Sequence, residues 1–198
     1  NTPSPRTSPT DGWRAASSRN TATQLVVGVT GHASYELLGG ELVTDSTWVG
    51  QGAFGRFVTD GGTHRVGDLQ IGTDPQGSGG YQLSSGLLAA VSVRVGAAGA
   101  VGSFVQNGGT HQVDDALEIA AGSRYLLTGS GVLALGTNVV AQNLGSFEHQ
   151  NGARFVGTLD NAGGFVFGSS SGAGLPSFDG RLTNRDGGSI TLQVNGSF

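Results

Sequence analysis

Tyr81 to Val113 reads YQLSSGLLAAVSVRVGAAGAVGSFVQNGGTHQV, and much of the remaining chain varies on it. Upstream, Tyr35 to Val66 reads YELLGGELVTDSTWVGQGAFGRFVTDGGTHRV, and downstream, Tyr125 to Val156 reads YLLTGSGVLALGTNVVAQNLGSFEHQNGARFV. Tyr35 and Tyr81 are 46 residues apart, Tyr81 and Tyr125 are 44 apart, and His64 and His111 are 47 apart. Self-similarity at a fixed period of this size marks a repeat architecture.

Within each copy the chain is short apolar strands separated by glycine. Tyr81-Gln82-Leu83, Val91-Ser92-Val93-Arg94-Val95 and Ser103-Phe104-Val105 alternate with period two, as half-buried strands do. Leu25-Val26-Val27, Leu69-Gln70-Ile71 and Leu117-Glu118-Ile119 are equivalent strand cores. No run of apolar residues at helical spacing is long enough for a helix. The fold class predicted is all-β. Three strand–turn units make a coil of roughly 22 residues, two coils make the repeat, and about eight coils fit between residues 21 and 198. Stacked coils lie ~4.8 Å apart with equivalent residues in columns. Leu69 and Leu117 are then expected in one ladder, and Phe57, Phe104 and Phe147 in another. Glycines at fixed offsets (Gly50 and Gly96, Gly61-Gly62 and Gly108-Gly109) suit corners with positive φ. A β-sandwich would need hairpin dipeptides between antiparallel partners, and the close recurrence favours stacking.

Glycine accounts for 37 of 198 residues, yet 36% are hydrophobic and regularly placed, which argues against low-complexity disorder. All ten basic residues are arginine, and there is no cysteine, so disulfides and thiolate chemistry are excluded. Residues 1–20 carry a net charge of +2 (Arg6, Arg14 and Arg19 against Asp11) and the remainder −6, together the overall −4. An acidic body of few cations is a poor match for phosphate backbones, so nucleic acid is not expected as a partner. No apolar run approaches the ~20 residues of a membrane helix, and no membrane insertion is expected. The start at Asn1 suggests a processed chain or a fragment boundary.

The first 20 residues, rich in Pro, Ser and Thr, read as a flexible arm, with Trp13 either an exposed aromatic or an anchor; residues 21–198 read as the solenoid domain. Later repeats degenerate. Arg154 stands where His111 is expected, Gly163-Gly164 and Ser169–Gly172 read as loop, and Ile190 to Val194 reads as a final strand.

The motif YxLxxGxL…VGxxGxGxF…GGxHxV…LxIG, clearest in Tyr81-Leu83, Val95-Gly96, Phe104, Gly108-Gly109, His111-Val113 and Leu69-Ile71-Gly72, resembles the repeats of bacterial surface proteins associated with autotransporters and PEP-CTERM sorting. The resemblance, over about Tyr35 to Val156, implies a right-handed parallel β-helix, exported and displayed at or outside the cell surface. It brings no catalytic residues to transfer, and the sorting helix and translocator barrel of those proteins are not expected in this stretch.

Each chemical constellation has a plainer reading beside it. His64 and His111 share a repeat position two coils apart, too far to share a metal, and are expected in a polar corner ladder. His32 and His149 lie at other offsets. Asp68 and the Asp114-Asp115-Glu118 group could hold calcium at an edge, but the glycine–aspartate nonapeptide of calcium-binding β-rolls is missing. Arg94, Glu118 and Asp160 do not coincide in the repeat frame, as a polysaccharide-cleaving site would require. Thr63 and Thr110 repeat without the threonine ladder of an ice-binding face. Catalytic, cofactor-binding and metal residues are therefore expected to be absent, and the chain is expected not to be an enzyme.

The expectation is a non-catalytic structural protein, extracellular or at the cell surface, assembling head to tail into a filament, sheath or surface layer. Strand edges without caps at both ends motivate it. The assembly residues expected are Trp13, Arg14, Arg19, Leu25, Val27, Ile190, Leu192 and Val194. The partner is the chain itself, with a surface polysaccharide as a further one. An adhesin-type stalk is the alternative; its glycan platform would draw on Trp48, Tyr81 and Tyr125, although Tyr35, Tyr81 and Tyr125 share a repeat position that suits a packing column. A polysaccharide-acting β-helix enzyme ranks third.

Overall fold

The computed structural model describes residues 13–15, 18–97, 99–169 and 174–193, with the backbone alone at 13–15. These residues form no helix; sixteen strands join one continuous sheet in which every pairing is parallel. The sheet winds into a β-solenoid of eight three-faced coils. In coil 3 face A is residues 54–59, face B 63–66 and face C 68–71, and in coil 4 they are 78–83, 87–90 and 92–95. The strands Phe54–Ile71 and Ser78–Val95 each run round all three faces. A register slip between Asp60 and Thr63 turns the first corner, where Gly61 and Gly62 take φ of 116° and 71°. After face C, Gly50 closes the coil at φ 78°, its N–H donating to the Val27 carbonyl at 2.7 Å. A Cβ there would come within 2.1 Å of the Ser78 carbonyl oxygen, so only glycine lets successive coils meet at this corner.

Side chains alternate in and out along each face, and the inward ones stack in columns. Leu69 and Leu117 share a column on face C, as expected, with Val93 between them. Phe57, Phe104 and Phe147 share a ladder too, as expected, but tyrosines fill the steps between them. Tyr35, Phe57, Tyr81, Phe104, Tyr125, Phe147 and Phe165 form a single column on face A, tyrosine and phenylalanine alternating up to Phe147. The sequence repeat spans two coils, so like residues recur only at every second step of a ladder. Ring centroids are spaced 4.8 Å between Phe57 and Tyr81, 5.0 Å between Tyr81 and Phe104 and 4.5 Å between Phe104 and Tyr125. Parallel strand spacing thus sets the ring spacing, and each stacked pair contributes ~0.5–1.5 kcal/mol beyond its burial.

Three further expectations change. Phe155, not Arg154, occupies the column of His111, with Leu133 between them. A guanidinium would be too costly to bury there; Arg154 instead faces outward, 3.2 Å from Asp179. The expected loop at Gly164 is the strand Gly164–Gly168, paired on both sides; residues 170–173 lie outside the described residues. Parallel pairing also begins before residue 20: Trp13–Ala15 pairs with Tyr35–Leu37, and Arg19–Val27 pairs with Glu41–Val49.

Candidate functional site

Three of the four histidines and two of the three tyrosines are buried inside the solenoid. His64 and His111 are fully buried on face B instead of forming a polar corner. His64 stacks on Phe57 with centroids 4.9 Å apart, and His111 stacks on Phe104 at 5.0 Å. Strand parity carried this signal: Val66 and Val113 stand two residues further on, and residues two apart in a strand share a face.

Each histidine meets the hydroxyl of the next tyrosine in the aromatic column. His64 Nδ1 lies 3.0 Å from the Tyr81 hydroxyl, which is also 2.8 Å from Thr59 Oγ1. On its other side His64 Nε2 lies 3.4 Å from Thr44 Oγ1 and 3.3 Å from Thr47 Oγ1, and these two hydroxyls bond each other at 2.8 Å. One coil pair further, His111 Nδ1 lies 2.8 Å from the Tyr125 hydroxyl, which donates to Gln106 Oε1 at 2.8 Å. The Gln106 amide in turn donates to the carbonyls of Gly109 and Val132. Because Tyr125 gives its proton to Gln106, the His111 proton sits on Nδ1. The positions of Thr44 and Thr47 two coils on are Ala90 and Val93, and His111 Nε2 is left without a partner. As a lone pair it costs less than an unpaired N–H would.

Burial sets the charge state. It pushes both His64 and His111 down to about 3, so both imidazoles are neutral at any ordinary pH. His149, also buried, donates from Nε2 to the Ala153 carbonyl at 2.9 Å and is pushed down to about 4 by the same desolvation. Burial raises the phenols of Tyr81 and Tyr125. These groups are sealed in the core, where they fix packing and cannot reach a dissolved substrate.

Five of the outer carboxylates are matched by arginines of neighbouring coils. Glu41 lies 3.0 Å from both Arg19 and Arg65, Glu118 lies 2.8 Å from Arg94, and Glu148 is forked by Arg124 at 2.5 and 2.8 Å. Arg185 forks Asp160 in the same way and holds its carboxyl below the usual range. The exposed pairs of Glu41, Glu118 and Glu148 stabilise by ~0–1 kcal/mol each. Among the described residues no three His, Asp or Glu gather closely enough to hold a metal ion, and no helix is long and apolar enough to cross a membrane.

Of the expected assembly residues, Leu25 and Val27 begin two columns on face C, half-buried and buried. Arg19 faces Glu41 of its own chain, and Trp13 and Arg14 pair through their backbones with Tyr35 and Glu36. Ile190 and Leu192 occupy inward columns of face A but are 44% and 71% exposed. Val194 lies outside the described residues. Of the residues expected for a glycan platform, Tyr81 and Tyr125 are buried, and Trp48 is half-buried on the outer side of face C between Val26 and Gln70.

Fold and interior together define a parallel β-solenoid with a polar-threaded aromatic core. Comparison with family models, curated proteins and solved structures gives no match to this chain.

Proposed function

We propose that this chain is a non-catalytic structural element, a rigid β-solenoid rod displayed outside the cell that stacks head to tail with copies of itself. The observation that carries the reading is the placement of His64, His111 and the buried tyrosines: they are consumed by the column that joins one coil to the next, held neutral and away from solvent. The self-stacking part is supported by Ile190 and Leu192, a ladder step on face A whose apolar side chains stand open in the described structure. A further coil, from this chain or another copy, would cover them. The surface location rests on the resemblance of the repeats.

Negative-stain electron microscopy of natively purified protein tests the proposal. A rod of eight coils is ~40 Å long at ~4.8 Å per coil, so uniform fibres many times that length are expected. Isolated short particles at every concentration would overturn self-stacking and favour the adhesin-type stalk.

A further inference from the structure

The outer side of face A carries a shallow groove of about 340 Å³ across coils 3 to 5, lined by Phe54, Arg56, Gly80, Gln82, Val101 and Ser103 among others. Three features single it out. First, Arg19, Arg65, Arg94, Arg124, Arg154 and Arg185 each hold a carboxylate; Arg56, like Arg181, does not, and it donates instead to the neutral amide oxygen of Gln82 at 2.8 Å. Its guanidinium is thereby oriented without its charge being matched.

Second, Phe54 is 40% exposed at the groove's edge and is propped by His32, with ring centroids 5.6 Å apart. Third, the floor is open because residue 80 is glycine. Packing does not demand one there: a Cβ on Gly80 would meet nothing within 4 Å, and its φ is not positive. Gly79 beside it is obligatory, since a Cβ would come within 2.1 Å of the Val49 carbonyl oxygen. Gly80 lies in register between Arg56 and Ser103, so a side chain there would fill the space between them.

We propose that this groove binds an acidic saccharide. The Arg56 guanidinium receives the carboxylate of a uronic acid, Phe54 covers a sugar-ring face, and Ser78, Ser103 and Gln82 meet its hydroxyls. The charge argues for this occupant over a neutral glycan: an oriented guanidinium with a neutral partner gains most from an anion with two oxygens. Coils 3 to 5 span ~10 Å along the axis at ~4.8 Å per step, the scale of a short saccharide. The site does not depend on end-to-end stacking, because single rods and fibres would both present face A.

Isothermal titration of the purified chain with a galacturonic acid trimer, at physiological salt, tests the assignment, with maltotriose and an aspartate-rich peptide as comparators. Saturable binding of the uronate, at least tenfold tighter than either comparator, is expected. Arg56→Gln and Gly80→Val should each weaken it tenfold or more, with melting temperature and circular dichroism unchanged; Arg56→Lys should lie between. No saturable binding, equal binding of maltotriose, tighter binding of the peptide, or a uronate affinity indifferent to both variants would each overturn it.

Discussion

Coils 3 to 5 and coils 6 to 8 have the same backbone plan and bury polar groups in opposite ways. Around coils 3 to 5 the polar contacts run across the interior, from Thr44 and Thr47 of coil 2 through His64 to Tyr81 on face A, and again from His111 through Tyr125 of coil 6 to Gln106. The rings lie flat on one another, Phe57 and Tyr81 within 6° and Phe104 and Tyr125 within 5°. In coils 6 to 8 the polar contacts run along the axis. Asn143, Asn161 and Asn184 continue the column that Val49, Ile71, Val95 and Ile119 occupy earlier. Asn143 donates to Asn161 at 2.6 Å, and Asn161 to Asn184 at 2.6 Å. There Phe147 meets Tyr125 and Phe155 edge-on, at 62° and 66°. The contrast shows that a solenoid asks little of any single residue beyond fitting its column and satisfying its polar atoms. Ladder geometry persists where the sequence repeat has faded.

Acid is the strongest way to separate the two halves. His64 and His111 sit near 3 when folded and near 6.5 when unfolded, so between those values the unfolded chain binds protons that the folded chain does not. Stability is therefore full above about pH 6.5 and falls as pH drops, by on the order of 1 kcal/mol per unit for each histidine, until about pH 3. Denaturant midpoints should fall steeply between pH 6 and pH 4, with amides of coils 3 to 5 losing hydrogen-exchange protection first. A double His64→Leu, His111→Leu variant should flatten most of that slope, His149 supplying the remainder.

Breaking the other half requires a mutation. The two N–H groups of Asn161 Nδ2 are shared among Asn184 Oδ1 and the carbonyls of Gly163 and Ser189, and its Oδ1 accepts from Asn143. Asn161→Ala should cost about 3 kcal/mol in urea unfolding, since several buried groups lose partners at once, and its cost should not change between pH 7 and pH 5. A cost below 0.5 kcal/mol, on the order of a surface substitution, would remove the ladder as a stabilising feature.

The smallest effect is the sharpest. Leucine already occupies the histidine column at Leu88 and Leu133, so leucine fits at either histidine position. At pH 7, His64→Leu should cost ~1–2 kcal/mol, because it removes contacts to Tyr81, Thr44 and Thr47. His111→Leu should be neutral within ~0.5 kcal/mol or stabilising, because it also removes an unpartnered ring nitrogen. Equal costs in thermal melts would show that the two networks are equivalent after all.

The sequence by itself determined the all-β class, the coil length of roughly 22 residues, the coil count and the Leu69–Leu117 column. These follow from spacing, and spacing survives wherever glycine corners and alternating apolar residues recur. Strand parity could also have placed the two histidines inside, because each stands two residues before an inward valine. Only the tertiary structure merged tyrosines and phenylalanines into one column, since a repeat of two coils hides the half-step between them. Only it put Phe155 rather than Arg154 in the histidine column, where the cost of burying a charge outweighs the alignment of like motifs. The groove at Arg56 was likewise out of reach of the sequence, because its parts come from three coils whose outward side chains meet only when the coils stack.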